Sequence, residues 1–279
     1  MPYTYQCHEP SQISEHERRI NLKVIAEGQI MAFVTQLVFC VVLILYINRA
    51  KTGKKVPSIR RVSGLDALDE AIGRATEMGR PVHFSPGISD VNEAQTMASM
   101  AILDYVARKC ARNDVPLIVS NNKVLVQALS EEIVKNAYMV ENRPDAFNPD
   151  NIRFLTDNQF GYATGVTGIM RREKIATNIA IGAFWAESLI FAQTGYEIGA
   201  VQIAGTANTH QIPFFVAACD YCLIGEEIYA ASAYISEEPV LVASLIVADF
   251  VKIAMIAVMI VGSVFMFSGS SFLVDLLKI

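Results

Sequence analysis

The sequence predicts an α/β protein whose mostly parallel, doubly wound sheet is inserted between two transmembrane helices. Between residues 63 and 238, short apolar runs ending in Ser, Asn, Thr or Gly alternate with longer segments of helical periodicity. That alternation implies βαβ units and parallel strand pairing. Two longer apolar runs, at residues 30–47 and within 239–267, flank the block. The composition agrees, with 52% hydrophobic against 18% charged residues, which is apolar for a soluble chain.

The order of elements follows from the runs themselves. Residues 1–29 form a short N-terminal segment carrying a lone Cys7, and a polar helix over residues 14–28 is expected to continue into the membrane. The run at 30–47 is broken only by Thr35, Gln36 and Cys40, close to the roughly 20 apolar residues that cross a bilayer core of about 30 Å. It starts late, has no basic stretch directly before it and ends in bulky Leu45-Tyr46-Ile47, so it is not a cleavable signal. A basic linker, 48–62, follows with Arg49, Lys51, Lys54, Lys55, Arg60 and Arg61. Cations on this side place residues 48–238 in the cytoplasm, at the cell membrane, with both termini outside. Glu237 and Glu238 sit on the inner side of the second span, but acidic residues weigh little in this rule.

Within the block, Ser63 reads as an N-cap, and Leu65, Leu68, Ile72 and Ala75 recur at helical spacing until Gly79 and Pro81. Strands are expected at 81–84, 115–119, 152–155, 175–181, 201–204 and 213–218. Helices are expected at 92–112, 123–139, 160–172 and 184–194, with a short one carrying Glu226 and Glu227. Near-continuous apolar strands fit a sheet covered on both faces. The whole is a Rossmann-like domain, followed by a second span at 239–267 and a tail at 268–279.

In such sheets ligands bind beyond the carboxyl ends of the strands, near the switch in strand order. The polar residues collected at the expected ends are Ser85, Ser120, Asn121, Asp157, Thr206, Asn208, His210 and Asp220, with Glu226 and Glu227 next to Asp220. Ligand-binding candidates are therefore Ser85, Asp157, Thr206, Asn208, His210, Asp220 and Glu226. Strand-to-helix loops also need Ser, Thr, Asn and Asp as caps, which explains the same residues without a ligand.

Specific chemistry is sparse. No dinucleotide or P-loop glycine pattern follows the first strand. Gly161, Gly165 and Gly168 lie on one helix and suit close packing of helices or subunits. Cys219-x-x-Cys222 has redox spacing but lacks thioredoxin-like aromatic and proline neighbours, so the pair is expected to be structural and reduced. Five cysteines in all make no disulfide framework. No metal set, hydrolytic triad or metalloprotease signature stands out, and the cofactor is left unassigned. Net charge −5 and pI near 5.5, without a basic aromatic patch, exclude a general nucleic-acid binder. In the second span, Asp249 and Lys252 are three apart and read as an ion pair near the inner boundary.

The stretch Asp220-Tyr221, Leu223-Ile224-Gly225-Glu226-Glu227 and Ala230-Ala231-Ser232-Ala233-Tyr234, leading into the last apolar helix, resembles an uncharacterised membrane-anchored bacterial and archaeal family, a domain of unknown function. The resemblance implies a membrane-tethered α/β domain and supplies no activity or catalytic residue.

Two functions follow as expectations. One is a noncatalytic membrane scaffold or accessory subunit, associated with lipid and assembled as a homo-oligomer or in a larger membrane complex. The other is a membrane-tethered enzyme or sensor that binds a small, nucleotide-like ligand at the strand ends.

Overall fold

The computed structural model describes residues 30–51, 63–236 and 238–267. The segments 1–29, 52–62 and 268–279, with Cys7, most of the basic linker and the tail, lie outside them. The chain divides into two compact units, one spanning Tyr46–Ala248 and one made of the flanking segments to Leu45 and from Asp249.

The larger unit is built on six strands, β1 (Val82–Gly87), β2 (Leu117–Asn121), β3 (Ile152–Phe154), β4 (Thr177–Ala183), β5 (Val201–Thr206) and β6 (Tyr221–Ile224). All neighbours pair in parallel, in the order β3-β2-β1-β4-β5-β6. That is the dinucleotide-fold order, reversing direction between β1 and β4, so the expected doubly wound, Rossmann-like α/β class is the observed one.

Helices cover both faces. Around α2 (Ser63–Met78), α3 (Ala94–Asn113), α4 (Val124–Val140) and α8 (Glu227–Ser236) lies an aliphatic core. It takes Val82, Phe84, Leu117, Val119, Ile179, Ile181, Ile203 and Leu223 from the strands. The periodic residues Leu65, Leu68, Ile72 and Ala75 of α2 are all buried in it. The other face meets α5 (Gln159–Arg172), α6 (Glu187–Glu197) and α7 (Ile212–Ala218) through an aromatic cluster. There Phe184 packs edge-on against Phe191 and Phe215, and Tyr162 against Phe191.

One element differs from the sequence expectation. Residues 213–218 form helix α7, and the last strand is β6, three residues further on. The run Pro-Phe-Phe-Val-Ala-Ala is apolar throughout, and a short apolar run fits either state. Pro213 in the first helical turn suits a helix start. Phe215 alone is buried while Phe214 and Val216 are exposed, the single inward stripe of a short surface helix.

Of the two expected spans, one helix among the described residues is long and apolar enough to cross a membrane. It is Pro239–Val264 of α9 (Pro239–Phe267), 26 residues at mean hydropathy 2.4. At 1.5 Å per residue that stretch is about 39 Å long, more than a bilayer core. Its most apolar window is only 6% buried, unlike a core helix. Its first turns belong to the α/β unit, where Ala243 and Val247 are buried. The other helix, α1 (Ile30–Lys51), has a shorter apolar stretch, Phe33–Arg49.

Candidate functional site

The fold places the candidate crevice at the carboxyl ends of β1 and β4, where backbone pairing runs on past Gly87. The Ile88 N–H donates to the Ala183 carbonyl at 3.0 Å. Gly87 (φ 91) and Gly182 (φ 146) occupy conformations that favour glycine. A Cβ on Gly87 would overlap the Ala183 carbonyl, and one on Gly182 the Pro86 carbonyl.

Next to this seam, Gln95 in the first turn of α3 bridges to the β5 end. Its Oε1 accepts the Ala207 N–H at 2.9 Å and faces the Thr206 hydroxyl at 3.4 Å. Its Nε2 donates to Asn208 Oδ1 at 3.1 Å, and Asn208 Nδ2 donates to the Phe184 carbonyl at 2.7 Å. Thr206 and Asn208 thus fasten loops of β4 and β5 to α3.

Other candidates are dispersed. Ser85 is buried inside the domain. Asp157 is exposed after edge strand β3, four strand spacings or about 19 Å from β5. Asp220 lies at the opposite end of the sheet from Thr206, because it precedes β6, and its Oδ2 accepts the Gln202 N–H at 2.8 Å. Assigning it to a strand's carboxyl end followed from reading α7 as a strand. Glu226 is exposed just past β6, at the same edge as Thr206, whose carbonyl accepts the Gly225 N–H at 3.0 Å. Glu227 reaches back to the end of β6, accepting the Ile224 N–H at 2.9 Å. Among the described residues, no group of three His, Cys, Asp or Glu side chains could hold a metal ion.

Gly161 and Gly165 face their own chain. A Cβ on each would come 3.0 Å from Thr156 Cγ2 and Leu155 Cδ1, so the close approach is to the β3–α5 loop. Gly168 borders Arg172. In α9, Lys252 Nζ reaches Asp249 Oδ1 at 3.3 Å.

Strand register assembles a polar cluster that sequence spacing does not reveal. His83 Nδ1 lies 2.9 Å from Asn178 Oδ1, and its Nε2 lies 2.9 Å from Ser120 Oγ. Burial pushes the His83 pKa down to about 4, against the hydrogen bond to Asn178, so the ring is neutral at pH 7. The Asn178 oxygen can only accept, so Nδ1 carries the proton and Nε2 accepts from the Ser120 hydroxyl. Tyr162 donates to the Ser120 carbonyl at 2.7 Å and therefore accepts from the Ser85 hydroxyl at 2.8 Å. Burial also raises the tyrosine pKa, so its hydroxyl stays protonated.

Ser120, His83 and Asn178 have the mutual distances of a nucleophile, base and orienting group. All three are buried, however, at no more than 2% exposure. Ser120 lies inside β2, and its carbonyl is held by Tyr162. In this packing the set forms a buried polar bridge joining β4, β1, β2 and α5.

Cys219 and Cys222 touch through their thiols. Donating to Cys222, together with burial, raises the Cys219 pKa, and the same contact lowers that of Cys222. Both are free thiols packed against the aromatic cluster.

Beside the fastened loops, Trp185, Ala207, Asn208, Thr209, His210 and Gln211 line a cavity of about 170 Å³. His210 thus lines the same cavity as Asn208. Sequence reading missed Gln95, Trp185 and Gln211, which lie in three separate loop or helix-start positions. The single tryptophan of the chain in a strand-to-helix loop was the available signal.

The model of a family described as a domain of unknown function (DUF6754) matches residues 21–276, and the chain belongs to that family. No curated protein and no solved structure matches it.

Proposed function

We propose that this family member is a membrane-tethered, noncatalytic scaffold or accessory subunit that assembles as a homo-oligomer or within a larger membrane complex. The observation that carries this reading is that polar groups at the β1, β4 and β5 strand ends are already partnered within the chain. Where the fold ordinarily admits a ligand, Ala183 takes the Ile88 N–H, and Gln95 occupies the polar groups of Thr206 and Asn208. The α9 helix supports the tether, with Phe250, Ile253 and Met259 all more than 60% exposed. In this reading lipid covers them, and α1 is the second span. The cation bias puts the α/β domain on the cytoplasmic side of the cell membrane, with both termini outside.

Self-association is supported by Asp249 and Lys252, which remain 69% and 44% exposed while paired. Ionised groups on a membrane helix gain from partners on neighbouring helices. Because Gly161 and Gly165 pack within the chain, α9 rather than α5 is the favoured contact. Mass measurement of the protein in mild detergent tests the reading. Two or more copies, or a stable complex, are expected, and a monomer without a partner refutes it.

A further inference from the structure

We propose that the cavity beside Trp185 binds a small, planar, uncharged heteroaromatic ring, such as a nucleobase or a pyridine carboxamide. This goes beyond the scaffold reading and does not depend on it, since the cavity lies between the β4–α6 and β5–α7 loops, beside the β1–β4 seam.

Its walls are fixed in advance. Glu187 is buried at the start of α6, and its Oε1 accepts the Trp185 N–H at 2.9 Å. Glu187 Oε2 accepts from Gln159 Nε2 at 2.6 Å. The buried Ser188 hydroxyl donates to Gln211 Oε1 at 2.8 Å, and Asn208 is held at both ends of its amide by Phe184 and Gln95. A pocket whose loops are already ordered loses less conformational entropy when a ligand enters.

The groups left over define the ligand. Trp185 is 54% exposed, which leaves the indole free to stack on a flat ring. Its indole N–H, the Gln211 amide nitrogen, the Thr209 hydroxyl and the His210 ring make no hydrogen bond among the described residues, and Thr209 and His210, like Trp185, are exposed. The tryptophan and glutamine nitrogens can only donate, so the ligand must present acceptors. Neither Lys nor Arg lines the cavity, which disfavours phosphates. The volume of about 170 Å³ is below the roughly 300 Å³ at which drug-sized pockets begin. It therefore suits a single ring system rather than a dinucleotide.

Trp185 is the chain's one tryptophan, so its indole N–H gives a single resonance in the full-length, tryptophan-labelled protein in detergent. Adenine, uracil and nicotinamide are titrated separately, with inorganic phosphate as the control. At least one ring is expected to shift that resonance saturably, and phosphate is not. Gln211→Leu should weaken the binding about fivefold, the loss of one hydrogen bond. If that variant does not fold, His210→Ala, at an exposed position, serves in its place with the same expected direction. No saturable shift with any ring, saturation by phosphate alone, or unchanged affinity in the folded variant would overturn the proposal.

Discussion

On the sheet face covered by α2, α3, α4 and α8, the strands present Val82, Phe84, Val119, Ile179, Ile181 and Ile203. On the face covered by α5, α6 and α7, the same strands present His83, Ser85, Ser120, Asn178 and Gln202. The two sets interleave residue by residue, because successive side chains in a strand point to opposite faces. Both faces are buried, but by different means. The first is held by apolar burial, which is non-directional and tolerates volume-conserving exchange. The second adds to its aromatic cluster hydrogen bonds whose donors and acceptors follow one order, from Ser85 through Tyr162 to Ser120 and from Ser120 through His83 to Asn178. Gln202 continues the polar row, donating to the carbonyls of Ala192 and Ala218. It fits because residue 195 is glycine, where a Cβ would overlap the glutamine side chain. Two burial strategies thus share one set of strands, and that difference predicts different responses to mutation and pH.

The largest expected effect is on the aliphatic face. Phe84 is fully buried, so Phe84→Ala should cost about 3–5 kcal/mol of unfolding free energy, with little dependence on pH. Denaturant unfolding of the detergent-solubilised protein at pH 7 and pH 5 checks both parts. A loss under about 1 kcal/mol would mean that the aliphatic core collapses to fill the space.

The polar face should answer to pH instead. Above pH 6.5 His83 is neutral in both folded and unfolded chains. Below that value the unfolded chain takes up a proton that the fold refuses until about pH 4. Stability should therefore fall as pH drops from 6.5 towards 4 and level off below, by about 3 kcal/mol from this group. The difference between the native protein and His83→Gln isolates that contribution from ordinary carboxylate titration. Parallel stability-versus-pH curves for the two proteins would remove His83 as its source.

The smallest effect is expected at the edge of the polar face. Replacing Cys219 and Cys222 together by Ala should change stability modestly, by about 1 kcal/mol, and abolish no oxidation-dependent behaviour. A dithiol potential between about −270 and −120 mV, the range of known oxidoreductases, would instead make the pair a working redox centre.

The faces also differ in how far the sequence discloses them. Strands such as residues 175–181 and 201–204 were readable because both faces are covered, leaving compact apolar runs. The terminal part was misread at α7, where Phe214 and Phe215 are equally apolar and only the packed domain decides which turns inward. The polar bridge was not legible at all. His83 and Ser120 are 37 residues apart and His83 and Asn178 are 95 apart, so only the β2-β1-β4 order makes them neighbours. A histidine inside an apolar strand was the one visible hint. For the strand-end candidates, chemistry suggested the residue types and topology sorted them. Thr206 and Asn208 meet at Gln95 and Asn208 shares a cavity with His210, whereas Asp157 and Asp220 are carried to another edge and to the other end of the sheet.

The central claim is that the triad-like geometry of Ser120, His83 and Asn178 serves the fold rather than catalysis. Treating the native, detergent-solubilised protein with a fluorophosphonate and mapping modified peptides tests it most directly, since an activated serine reacts and a buried hydrogen-bonded one does not. Ser120 is expected to stay unlabelled under native conditions. Near-stoichiometric labelling of Ser120 that disappears in a folded His83→Ala variant would contradict it and make the polar face an active site.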